Sequence, residues 1–178
     1  MPSDWLLCCY RLPREPSRLR LAVWRRVKRL GAVLMQDAVW VLPADAKTRE
    51  DFEWLAEEIE ERGGSVMLWE ARSLGAAQDR AVVDHFREDA DARYVGIVEA
   101  AGQLARLGRR RATRHRRVEQ GLQRLRVLER ALRLERRRDY FRATGREAAE
   151  SSVRGALEEL RSRTRTIAGE GRSRAVGH

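Results

Sequence analysis

The chain has 178 residues, enough for one domain or for one small domain with a helical extension. Hydrophobic residues make up 43% and charged residues 36%, a mix that supplies a core, points to long solvated helices and leaves no apolar run near the ~20 residues of a spanning helix. The net charge of +10 is uneven: residues 1–100 hold 15 Lys+Arg against 18 Asp+Glu, and residues 101–178 hold 22 against 9. The rear half alone therefore offers a field that attracts polyanions, nucleic acid first. Only Lys28 and Lys47 are lysines. A coding bias accounts for arginine in place of lysine, but not for cations outnumbering anions after residue 100.

Residues 5–12 (WLLCCYRL) are apolar and bounded by Pro13, and read as a buried first strand. Ser17 is a candidate N-cap for a helix over about 18–30, whose Leu19, Val23, Val27 and Leu30 form one stripe beside Trp24. Gly31 stands where a helix C-cap belongs. Two short strands follow, at 32–36 and 39–42, with a tight turn expected around Asp37-Ala38. Thr48 to Asp51 resembles a capping box opening a helix to about Arg62, with Phe52, Leu55, Ala56 and Ile59 on one face. Gly63-Gly64 breaks it, and residues 65–71 (SVMLWEA) read as a fourth strand. The order β-α-β-β-α-β within about 71 residues is that of a ferredoxin-like fold, a four-stranded antiparallel sheet with two helices on one face.

From Gly75 onward the pattern is helical: one segment over 78–87, an alanine-rich one over 92–107, then an arginine-loaded stretch over 108–117. Val118, Leu122, Leu125, Leu128 and Leu132 continue a stripe at spacings of three and four. Thr144 and Glu147 match a capping box that opens a last helix with Ala149, Val153, Leu157, Leu160, Thr164 and Ile167 on one face. Two such helices joined by a turn at 139–145 make an antiparallel helical hairpin. The expected class is thus α+β. A ferredoxin-like domain spans 1–75, a basic helical extension spans 76–168, and a disordered tail spans 169–178.

The residues for catalysis are absent from this pattern. His85, His115 and His178 are scattered, without a second His or Cys at ligand spacing, so no metal site is expected. Cys8 and Cys9 are adjacent in an apolar strand and read as packing residues, since no histidine lies near to lower a thiol pKa. No phosphate-cradling glycine pattern occurs, and no cofactor is expected. The acidic run around Glu57–Glu61 reads as a solvated helix face. Trp5, Trp24, Trp40, Trp54 and Trp69 fall one per element and read as core and packing residues.

The arginines of 108–117 are harder to reduce to structure. A helix with Arg109, Arg110, Arg111, Arg114, Arg116 and Arg117 carries cations around most of its circumference, and these repel unless anions neutralise them. Contact with DNA phosphates or another anion is the first reading, ahead of docking inside the protein or a plain solvated segment. Arg25, Arg26 and Arg29 form a second candidate patch.

The run from Trp5 to Pro43 resembles the N-terminal domain of the chromate-resistance regulatory proteins of the ChrB type. The resemblance rests on Tyr10-Arg11-Leu12-Pro13, Ser17-Arg18-Leu19-Arg20, Trp24-Arg25-Arg26, Arg29-Leu30-Gly31, Gln36-Asp37 and Val39-Trp40-Val41-Leu42-Pro43. Gly63-Gly64, the helix around Phe86, and Arg136-Arg137-Arg138-Asp139-Tyr140-Phe141 extend it over nearly the whole chain. It implies a transcriptional regulator of a bacterial chromate-efflux operon, in a stand-alone form without the C-terminal domain of longer members. The front domain is also similar to that of phenylacetate-pathway repressors and of the CRISPR adaptation endonuclease. The metal-binding Asp that the latter family carries near the end of its first strand is replaced here by Tyr10-Arg11-Leu12.

The reading is a cytoplasmic, non-enzymatic DNA-binding regulator, expected to be a homodimer and not to bind membranes. The alternative is a module that senses an oxyanion, chromate or sulfate, or docks a protein partner without binding DNA.

Overall fold

A computed structural model describes residues 4–13, 17–36, 39–110 and 114–176; the side chains of Ser17 and of residues 171–176 are outside that description. The elements in chain order are β1 (Asp4–Arg11), α1 (Ser17–Leu30), β2 (Val33–Gln36), β3 (Val39–Pro43), α2 (Ala46–Glu61), β4 (Ser65–Arg72), α3 (Ala76–Arg109), α4 (His115–Arg138) and α5 (Arg146–Val176). The chain divides into two units. The first holds residues 1–89 and 138–141, and the second holds residues 90–137 and 142–178. This division differs from an expected boundary after residue 75, because the first turns of α3 and a short return of the chain at Arg138–Phe141 belong with the sheet.

In the first unit the strands form one antiparallel sheet in the order β2-β3-β1-β4. Directly opposed residues share a face. Leu6 and Cys8 of β1 therefore lie with Leu42 and Trp40 of β3 and with Glu70 and Leu68 of β4. Both α1 and α2 cover this face. Lys28 sits 5.6 Å from the Trp40 ring, Arg49 pairs with Glu70 at 2.6 Å, and Val23, Val27, Phe52, Leu55 and Ile59 fill the layer. Trp5 and Leu7 occupy the opposite face with Val41 and Trp69. Trp5 stacks on Phe86 of α3 at 5.9 Å and 10°, and Phe141 packs on both rings. The Trp5 indole N–H donates to buried Asp79 at 3.0 Å, which satisfies the one polar atom that burial of this ring would otherwise strand.

Glycine punctuates this unit where the sequence suggests. Gly31 (φ 81°) ends α1 and Gly63 (φ 76°) ends α2, both in the left-handed region that side chains disfavour. The helix starts differ from the sequence reading. The N-cap of α2 is Asp45, whose carboxylate accepts from the Thr48 amide at 2.8 Å while the Thr48 hydroxyl accepts from the Asp45 amide at 3.0 Å. The capping box is thus three residues earlier than expected. The Ser17 side chain and the turn at Asp37-Ala38 lie outside the described residues.

In the second unit, Ala90, Tyr94, Ile97, Ala101 and Leu104 of α3 pack with Val118, Leu125 and Leu132 of α4 and with Ala149, Val153, Ala156 and Leu160 of α5. Thr144 does not cap α5. Its hydroxyl and the Gly145 amide both donate to the Asp91 carboxylate, at 2.9 and 2.6 Å, so the anion at this helix start comes from α3. Arg93 and Glu135 form a part-buried pair at 2.7 Å. The last helix continues past Gly169 to Val176, where the sequence reads as a disordered tail. The two segments expected at 78–87 and 92–107 are one helix, α3.

Candidate nucleic-acid interface

The arginine-rich stretch is a junction between helices, which corrects its reading as a continuous helix. The α3 helix stops at Arg109 and α4 starts at His115. Gly108 sets where the junction sits: a Cβ placed on it would lie 2.6 Å from the Glu159 carbonyl carbon and 2.8 Å from the Leu160 nitrogen of α5. Only a glycine permits that approach. Val118, buried at 1% exposure, anchors the other side.

Between these anchors the described side chains are exposed. Arg109, Arg110, Arg114, Arg116 and Arg117 are all exposed, and Arg111 lies outside the described residues. Arg109 approaches Glu159 at 3.8 Å. No ion pair engages Arg110, Arg114, Arg116 or Arg117 among the described residues. The Arg114 carbonyl accepts from the amides of Arg117 and Val118, starting α4. The first turn of α4 has no acidic residue, so its positive dipole end adds to the guanidinium charge instead of being neutralised. His115 pairs with Glu119 at 3.1 Å, the nearest carboxylate within α4. The described residues of the junction present exposed cationic side chains.

The second patch belongs to the sheet unit. Arg25 and Arg29 are exposed and Arg26 is half-buried, around a cleft of about 520 Å³ that Lys28, Arg138 and Glu58 also line. Lys28 is engaged by Asp89 at 3.1 Å, and Glu58 by Arg62 at 2.9 Å. The Arg26 Nε is buried without a hydrogen-bond partner among the described residues. Arg138 donates to the Lys28 carbonyl at 2.8 Å. Sequence reasoning did not place Lys28 or Arg138 here. They are 110 positions apart, and the only local signal was the run Arg136–Arg138.

The other candidates resolve simply. Cys8 is fully buried, and burial, aided by neighbouring Cys9, pushes its thiol up to about 12, so it stays protonated and unreactive near neutrality. Among the described residues no group of three or more His, Cys, Asp or Glu is placed to hold a metal, and no helix is long and apolar enough to cross a membrane. Of the five tryptophans only Trp5 and Trp40 are core. Trp24, Trp54 and Trp69 are about half exposed or more, against the packing role expected of them.

Comparison of the sequence with known proteins places the chain in a family. A family model described as "Protein ChrB, N-terminal" matches residues 20–169. The stretch of the resemblance before residue 20 lies outside that match. Protein ChrB of Cupriavidus metallidurans (strain CH34) is 30% identical over 92 residues, which cover 50% of this chain and 28% of that protein. The matched region is thus under a third of the relative's length. No solved structure matches the chain. The chain belongs to the ChrB family, by similarity to its N-terminal domain.

Proposed function

We propose that this protein is a non-enzymatic, DNA-binding transcriptional regulator in bacterial chromate resistance, acting on an efflux operon. The observation that carries this is the α3–α4 junction. Arg110, Arg114, Arg116 and Arg117 are exposed with no ion-pair partner among the described residues, on a family background tied to chromate resistance. Guanidiniums in such an array bind phosphate oxygens and release counterions, giving affinity and orientation without reading bases. Arg25, Arg26 and Arg29 form the second backbone contact. Sequence discrimination is not encoded in these contacts. The framework reads as a ferredoxin-like domain with a helical extension built on an antiparallel hairpin. The strand order β2-β3-β1-β4 supports the first, and the contacts Arg136–Glu150 and Gly121–Leu160 support the second. A gel-shift titration with duplex DNA tests the proposal: shifted complexes that dissolve as salt rises support it, and no complex at low salt refutes it.

A second reading rests on the cleft by α1. A buried Arg26 Nε without a hydrogen-bond partner among the described residues, next to Arg25 and Arg29, suits a compact oxyanion such as chromate or sulfate, or an acidic segment of a protein partner. Calorimetry with chromate and with sulfate, in the absence of DNA, separates the two readings. Micromolar heats of binding without any DNA complex favour the sensor or docking module.

A further inference from the structure

We infer that the free edge of β4 is a self-association surface, pairing antiparallel with β4 of a second copy to continue the sheet. The two edges of the sheet are treated differently. At one edge, β2 has four residues and a register shift between Leu34 and Gln36, two devices that stop an edge from templating another strand. At the other, β4 has eight residues in unbroken register with β1 and carries no lysine, proline or bulge. Nothing among the described residues pairs with its outer side. Three consecutive apolar side chains on this strand face solvent: Met67 at 59% exposure, Leu68 at 37% and Trp69 at 56%.

Charge and register both favour a second copy as the occupant. The chain carries +10 overall, yet β4 is locally neutral, because Glu70 is engaged by Arg49 and Arg72 by Asp4 at 2.7 Å. Two copies therefore meet here without the repulsion that their basic surfaces would impose. A two-fold axis perpendicular to the sheet keeps each face on its own side, so only residues of the same face become opposed. Centring that axis on Leu68 places Leu68 against its own mate and Met67 against Trp69 twice. Each exposed apolar side chain then has an apolar partner, including two sulfur–aromatic pairs. Glu70 falls opposite Val66, so the two Glu70 side chains stay roughly 13 Å apart along the strands. With the edge backbone included, the pairing buries on the order of 500 Å² per copy, the scale of a weak and reversible dimer.

The surface is independent of the DNA reading and is tested without DNA. Sedimentation of the full chain over about 1–200 μM should show a monomer–dimer equilibrium. Met67→Lys with Trp69→Lys opposes two lysine pairs across the axis and should weaken the dimer by roughly 100-fold, with an unchanged far-UV circular dichroism spectrum because both positions are exposed. Leu68→Cys brings two thiols within disulfide reach and should cross-link on mild oxidation, whereas Glu70→Cys should not. A wild-type chain that stays monomeric throughout, a double-lysine variant that dimerises as tightly as wild type, or equal cross-linking at positions 68 and 70 overturns the inference.

Discussion

Replacing Gly108 by alanine tests how the arginine junction is held. The added methyl would sit 2.6 Å from the Glu159 carbonyl carbon and 2.8 Å from both the Glu159 oxygen and the Leu160 nitrogen. Ordinary contact between such atoms needs about 3.5 Å, so α3 and α5 must separate by several tenths of an ångström or more. All three clashing atoms are backbone, so no rotamer change relieves them. Overpacking of this kind costs about 1–3 kcal/mol, with the upper end expected here. Against it stands the gain of alanine over glycine in a helix, at most about 1 kcal/mol and smaller one residue from the end of α3. The net is a destabilisation of about 2 kcal/mol, or roughly 4–8 °C in Tm for a chain of this size. Urea and thermal unfolding of Gly108→Ala beside Gly155→Ala, a helical glycine with open space around it, make the comparison. A Gly108→Ala protein as stable as wild type would refute the close approach that positions the junction.

Three further outcomes follow from the same geometry. Changing Arg110, Arg114, Arg116 and Arg117 together to glutamine leaves folding intact, since none holds an ion pair among the described residues, and flattens the log–log salt slope of DNA binding by roughly 3 to 4; filter binding across salt concentrations measures it. Gly31→Ala forces a side chain onto φ 81° and to within 2.6 Å of the Arg138 Cβ, and should lower stability by about 2 kcal/mol or more in denaturant unfolding. The thiol of Cys8 and the phenol of Tyr140 are both raised by burial, so each is neutral when folded and ionises more readily when unfolded. Their contribution is fully present below about pH 9 and is lost as pH rises toward 12, at up to about 1.4 kcal/mol per pH unit per group. Unfolding midpoints between pH 8 and pH 11 should therefore fall, and Cys8→Ala should make that fall shallower.

The elements that announce themselves through local rules were readable from the residues. Gly31 and Gly63 stop α1 and α2 because the left-handed conformation after a helix excludes most side chains, and that preference is written in one position. What depended on distant partners was not readable. Thr48 suits either the cap or the third helical position, and only the reciprocal bonds with Asp45 decide between them. Thr144 looked like a cap, but Asp91, 53 residues away, takes its hydroxyl. The sequence suggests two segments where α3 is one helix, because its buried stripe, from Val82 and Phe86 through Ala90, Tyr94 and Ile97 to Ala101 and Leu104, includes alanines that give little hydropathy signal. The same limit applies to the candidate site. Clustered arginines are visible in the sequence, whereas their presentation on an interhelical junction depends on Gly108 meeting Glu159 and Leu160. Lys28 and Arg138 join the α1 cleft only through folding.

The proposed function requires that the arginines of the α3–α4 junction bind nucleic-acid phosphates. Fluorescence anisotropy of the full chain with a labelled duplex, between about 50 and 200 mM salt, tests it most directly. If Arg109, Arg110, Arg111, Arg114, Arg116 and Arg117 each neutralise one phosphate, log affinity falls linearly with log salt at a slope of about −5, a loss of about three decades across that range. An affinity indifferent to ionic strength, or no binding at the lowest salt, would contradict the account.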